Sequence, residues 1–175
     1  MIFGDASAGL LATPLSIFAG AADKADRVIA ACLAHPERFL VSPRSGDPQV
    51  LVARLLTDPD NAVWEVWRND TFLGILLLDR IVPRVDARLH LVFFDDELAS
   101  KAALLNDFVS RCFSEYGLHR VTFEAPAPMT TLTGFVRRKL GFAPEGQRAA
   151  AYHDGARWHD LATLARFAPE APSDG

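Results

Sequence analysis

The hydrophobic pattern divides the chain into alternating helical and extended stretches. Asp23 is expected to open a helix whose apolar face is Ala25, Val28, Ile29, Cys32 and Leu33, with Asp23 and Asp26 spaced as a capping box. His35-Pro36 ends it. Asp47-Pro48 starts a second helix, with proline at the first helical position and Leu51, Leu55 and Leu56 turned inward. Val63–Arg68 and Thr71–Val82 read as two strands around Asn69-Asp70, and Pro83 stops the second. Arg88–Phe94 is a further strand, on which Arg88, His90, Val92 and Phe94 share one face. Leu98–Tyr116 is a long amphipathic helix with Leu105, Phe108, Val109, Cys112, Phe113 and Tyr116 inward and Gly117 as its stop. Arg120–Ala125 is a strand and Thr130–Leu140 a last helix, closed by Gly141 with Phe142 folding back on it. Pro144 keeps that helix from resuming. Arg148–Tyr152 and Arg157–Arg166 form a hairpin around Asp154-Gly155, a pair that accepts the positive φ of a tight turn.

The order is therefore strand, two helices, three strands, helix, strand, helix, hairpin. This is an α+β domain with a mixed sheet. The first strand is expected at Pro14–Phe18, with Met1–Thr13 an N-terminal extension, residues 14–167 one domain and Ala168–Gly175 a mobile tail.

Composition narrows the function. A chain of 175 residues, 50% of them hydrophobic, can bury one sizeable core. Its net charge of −4 argues against a general nucleic-acid binder. No stretch is long and apolar enough to span a membrane. The apolar N-terminus has no Lys or Arg before Lys24, so it lacks the basic region of a signal peptide. Cys32 and Cys112 read as buried thiols of a reducing, cytoplasmic compartment. His153, Asp154, His159 and Asp160 cluster in sequence, but a hairpin turn with polar edge residues explains them better than a metal. Trp64 and Trp67 are expected to pack in the sheet.

The stretch from Lys139 to Asp160 resembles the C-terminal signature of the GNAT superfamily, the acyl-CoA-dependent N-acyltransferases. The matching residues are Lys139, Leu140, Gly141, Phe142, Glu145, Gly146 and Arg148, followed by Asp154, Gly155, Trp158 and Asp160. The flavour is that of the ribosomal-protein and antibiotic acetyltransferase branch and of phage-encoded GNAT-like proteins. The resemblance implies a mostly antiparallel central sheet flanked by helices. In it, Arg88–Phe94 and Arg120–Ala125 run parallel and splay apart at their C-terminal ends.

The resemblance also implies a site. Acetyl-CoA would be the co-substrate and an unidentified amine of a small molecule or protein the acceptor, on a monomer or homodimer. The thioester arm would lie along Val92, Phe93 and Phe94. Its pyrophosphate would meet the start of the long helix, at Leu98, Ala99, Ser100, Lys101 and Ala102. There Glu97-Leu-Ala-Ser100-Lys101-Ala102 stands where the family carries Q/R-x-x-G-x-G/A. Ser100 replaces a glycine and Glu97 adds a negative charge, so CoA binding is expected to be weak, tens of micromolar or looser, about −6 kcal/mol. Thr130 and Thr133 stand at the pantetheine positions. Arg137 stands where many members have a general-acid tyrosine, and a guanidinium cannot deliver that proton. His90 and Glu124 are the candidate general bases. Two function classes remain: an acyl-CoA-dependent N-acyltransferase, and a GNAT-fold binding or structural module that has lost catalysis.

Overall fold

The computed structural model describes residues 2–15, 22–40 and 43–169. Among the described residues, eight strands form one sheet in the order β1-β2-β3-β4-β5-β6-β8-β7. In chain order they are β1 (Phe3–Asp5), β2 (Leu10–Pro14), β3 (Ala62–Arg68), β4 (Thr71–Val82), β5 (Asp86–Phe93), β6 (Arg120–Pro126), β7 (Ala143–His153) and β8 (Trp158–Phe167). Four α-helices accompany them among the described residues: α1 (Ala22–Ala34), α2 (Pro48–Thr57), α3 (Ala102–Ser114) and α4 (Thr130–Leu140). Every neighbouring pair is antiparallel except β5 and β6.

The sheet is covered on both faces. Leu76, Leu78, Leu89, Leu91 and Val121 pack with Leu105, Phe108 and Val109 of α3 and Val136 and Leu140 of α4. On the other face Val63, Ile75, Leu77 and Val92 pack with Val28 and Cys32 of α1 and Val52 and Leu56 of α2. Two-sided burial explains why β4 reads as an unbroken apolar run rather than an alternation. At Gly74 of that strand the backbone has φ +151, and an added Cβ would stand 2.0 Å from the Val92 carbonyl oxygen. Only glycine lets β4 come this close to the end of β5.

The local stops act as their chemistry dictates. The Asp47 carboxylate accepts the Gln49 N–H at 2.9 Å and caps α2. Gly141 takes the left-handed conformation at the end of α4, and Phe142 is buried against that helix. The two thiols lie in different cores, and burial pushes each up to about 12.

Three expectations need correction. Residues 3–14 are part of the sheet, not an extension. Phe3 stacks on Phe108 at 5.4 Å, and the Asp5 carboxylate accepts the Ser7 and Ala8 N–H groups to turn β1 into β2. The first strand therefore begins before Pro14, while residues 16–18 lie outside the described residues. The long helix starts as a single 3-10 turn, Leu98–Lys101, and becomes α-helical at Ala102. Tyr116, expected inward, lies beyond its end and is exposed, with only its ring against Trp64.

Candidate active site at the fork between two strands

The parallel strands pair over a short length. Asp86, Ala87, Arg88 and Leu89 register with Arg120, Val121, Thr122 and Phe123, and the pairing stops there, although β5 continues to Phe93 and β6 to Pro126. Beyond Leu89 the β6-facing edge of β5 is left without a strand partner. A cleft of about 370 Å³ opens there, walled by Leu91 and Phe93 of β5, Asp95, Asp96 and Leu98 beyond it, and Pro128–Leu132 at the start of α4. Leu40, at φ +54, lines this cleft and also a second cavity.

That second cavity, about 430 Å³, lies on the α1–α2 side and is lined by Leu51, Arg54, Leu55, Asp58, Arg80, Arg88 and His90 among others. Its floor is a charged network. Arg88 donates from Nε to Asp79 Oδ1 at 2.8 Å and from Nη2 to Asp79 Oδ2, and from Nη1 to Glu124 Oε2 at 2.9 Å. Arg148 donates to the other Glu124 oxygen at 2.8 Å. His90 Nε2 lies 3.0 Å from Asp79 Oδ1. The angle does not make this a directed hydrogen bond, so the nitrogen is buried within ion-pair range but without a hydrogen-bonded partner. Burial penalises the Asp79 charge. Arg88 and His90 outweigh that penalty and hold its carboxyl well below the usual range.

Strand alternation thus brings His90, Arg88 and Glu124 together on one face at the fork. Val92 shares that face, but its side chain is buried under α1 and α2, so only its backbone borders the fork. Phe94 lies one residue past the strand and packs on Phe72. Phe93, Leu98 and Thr130 line the cleft; Thr133 and Arg137 do not. Thr133 donates its hydroxyl to the Met129 and Thr130 carbonyls, closing the first turn of α4. Neither of the chain's two tyrosines lines the cleft.

The loop before α3 departs from the expectation. Lys101 is fully buried, with Nζ donating to Asp95 and to the Glu97 carbonyl and the ammonium 5.0 Å from the Phe93 ring centre. It ties the loop down and does not face solvent. Glu97 accepts from Arg68 Nη1 at 3.1 Å, and Arg68 Nη2 donates to Ser100 Oγ at 2.8 Å. Ala99 and Ser100 belong to the 3-10 turn, Ala102 opens α3, and none of the three lines the cleft. Asp95 and Asp96 line the cleft, with Glu97 following them in the chain and Arg38 pairing Asp96 at 3.5 Å.

The signature residues near the C-terminus act as braces. Glu145 accepts from Arg120, and Arg148 reaches Glu124, so both cross-link β7 to β6 over the intervening β8. Asp160 accepts the Ala150 N–H at 2.9 Å, where the β7–β8 register slips. Asp154 accepts the Ala156 and Arg157 N–H groups and meets His159 Nε2 at 2.6 Å, so this polar cluster is occupied in making the turn.

Sequence reasoning missed Asp79, Arg54, Arg80 and Arg38. Asp79 had a signal: a lone acid ends the apolar run of β4. Arg80 sits at a bulge between Asp79 and Val82 with φ +51, a conformation that costs a non-glycine residue about 1–3 kcal/mol.

A mixed sheet with one short parallel pair opening into a cleft is the architecture of the GNAT acetyltransferases, and this chain has that fold. Among solved structures it is similar to the ribosomal L7/L12 alpha-N-protein acetyltransferase in complex with coenzyme A, with TM-score 0.72 and 13% identity, covering 96% of this chain and 98% of that one. It is similar to a probable GNAT-family acetyltransferase from Chromobacterium violaceum, with TM-score 0.68 and 20% identity over 95% of this chain and 85% of that one. It also resembles spermidine N-acetyltransferase from Vibrio cholerae in complex with CoA and spermine, with TM-score 0.68 and 14% identity over 91% and 95%. No protein-family model matches the chain, and no curated protein matches it.

Proposed function

We propose that the chain is an acyl-CoA-dependent N-acyltransferase. The observation that carries this is the fork itself: the β5–β6 pairing ends at Leu89 and Phe123, with His90 and Glu124 immediately beyond. The unpaired edge of β5 offers backbone groups to the amides of a pantetheine arm, and the 370 Å³ cleft has room for one. Leu91, Phe93 and Leu98 would hold the arm, with Thr130 at its side. The N–H groups of Thr131 and Leu132, which have no backbone acceptor among the described residues, lie at the same wall.

Acetyl-CoA would supply the activated acyl carbon. The residues of this chain supply the rest. His90 accepts the proton of the incoming ammonium group, and the Asp79 carboxylate, 3.0 Å away, stabilises the imidazolium that forms. With Nε2 turned toward Asp79, the lone pair on Nδ1 is the one left for that proton. Arg88 holds Asp79 charged and in place. Glu124 is a weaker candidate base, because both its oxygens already accept from guanidinium groups. The bond from nitrogen to the acyl carbon forms as the carbon–sulfur bond breaks, and the leaving thiolate takes its proton from water.

A second reading is a GNAT-fold binding module without catalysis. It is favoured by Arg137 at the acid position and by the acidic run Asp95–Glu97, which disfavours phosphates. Calorimetric titration with acetyl-CoA separates the two. Heat of binding, with CoA thiol released in the presence of an amine, supports the acyltransferase. No binding at millimolar ligand by the folded protein leaves the module.

A further inference from the structure

We infer that the acceptor is an amine that also carries an anionic group, as a free amino acid does, and that Arg54 and Arg80 hold that group. This rests on the acyltransferase reading for its chemistry and on the second cavity for its recognition.

The cavity's floor gives the direction. His90 and Arg88 line it, so an amine bound there faces the proposed base and the fork. Arg88 has its charge compensated by Asp79 and Glu124, which together engage three of its N–H groups. Arg54 of α2 and Arg80 of β4 also line the cavity, both at exposed positions, and neither has a hydrogen-bonded or ionic partner among the described residues. The acid among the lining residues, Asp58, accepts the Asp60 N–H at 2.9 Å and makes no ion pair. The free charge around the cavity is therefore net positive. A polyamine would meet repulsion there, while a carboxylate or phosphate would meet a two-armed guanidinium site.

The backbone at Arg80 is the independent observation. Asp79 and Arg88 face the cavity side, so strict alternation would send Arg80 to the opposite face, onto Leu76 and Leu78 of the apolar core. The bulge adds one residue to β4, and the left-handed φ at Arg80 leaves that side chain lining the cavity instead. A strained conformation of a non-glycine residue, spent on aiming a cation, marks a functional position. The cavity's 430 Å³ suits a small molecule more than an extended chain segment.

The test uses the full chain with aspartate, the aspartate diamide in which both carboxylates are blocked, and spermidine as acceptors, and CoA thiol release as the readout. Aspartate is expected to show a KM at least about tenfold below that of the amide, with spermidine poorest. Arg54→Gln and Arg80→Gln should each raise the aspartate KM about tenfold with kcat nearly unchanged, and should leave the affinity for acetyl-CoA unaltered. A preference for spermidine, equal use of aspartate and amide, or no response to either substitution overturns the inference while leaving an acyltransferase. If acetyl-CoA does not bind at all, direct calorimetry with aspartate still decides: binding lost in both variants keeps the anion site, and no binding to the parent chain removes it.

Discussion

Asp79 and Arg88 stand opposite each other across β4 and β5 and are joined by two hydrogen bonds, one from Nε at 2.8 Å and one from Nη2. The pair sits under the proposed acceptor cavity, mostly shielded from water, with His90 in ion-pair range of Asp79 and Glu124 accepting from Arg88.

Removing one member of this pair should be costly. Asp79→Ala leaves the Arg88 guanidinium buried with only Glu124 as partner, and is expected to destabilise the fold by about 3–5 kcal/mol. Urea unfolding with an unchanged m-value would check it. The milder Asp79→Asn, if it folds, should lower kcat by removing the charge that stabilises the His90 imidazolium.

Stability should also depend on pH. The folded carboxyl of Asp79 is held well below its unfolded value. A depressed carboxylate contributes stability that is present above the unfolded pKa near 4 and is lost as pH falls below it. Acid titration of the unfolding midpoint should show this loss in the parent chain, and a smaller one in Asp79→Asn.

His90→Ala should reduce turnover by about 10² or more and remove the acidic limb of the pH–rate profile. Glu124→Gln should keep that limb, since Glu124 serves as an anchor for Arg88 and Arg148. The reverse pattern would move the base to Glu124.

The loop before α3 should respond to charge. Glu97→Gln releases Arg68 from its ion pair and removes an acid next in the chain to the cleft-lining Asp96. Acetyl-CoA affinity should rise by several-fold at low salt, and the gain should shrink as ionic strength increases. Lys101→Met, by contrast, should cost stability by stranding Asp95, with little change in the salt slope of binding.

The N-terminal strands carry part of the core. Phe3→Ala opens a hole against Phe108 and is expected to cost roughly 3 kcal/mol, or about 6–12 °C in Tm for a chain of this size. Scanning calorimetry reads it directly.

Strands β3 to β6 and all four helices were legible from period and punctuation. Asp47-Pro48, Gly141 and Asp154-Gly155 each act through chemistry that needs no distant partner. The β1–β2 hairpin was not legible, because strands of three and five residues carry too little alternation and Phe3 is buried by Phe108, far along the chain. At the site, His90 and Glu124 could be placed on a common face by counting. Their partner Asp79 could not, because its role depends on the β4–β5 register. The inward turn of Lys101 was hidden for a related reason: a lysine reads as a surface cation until Asp95 and the Phe93 ring close over it.

The short parallel pairing has a further consequence for how the molecule breathes. Two blocks of antiparallel ladder, β1–β5 and β6–β8, are stitched at four residue pairs along that line, with the helices bolted across it. Backbone amides flanking the stitch should exchange with solvent sooner than those in the middle of either block. Any molecule that lays hydrogen bonds along the open edge would lengthen the stitch, so occupancy should appear as slowed exchange on both strands at once, including at residues it never touches.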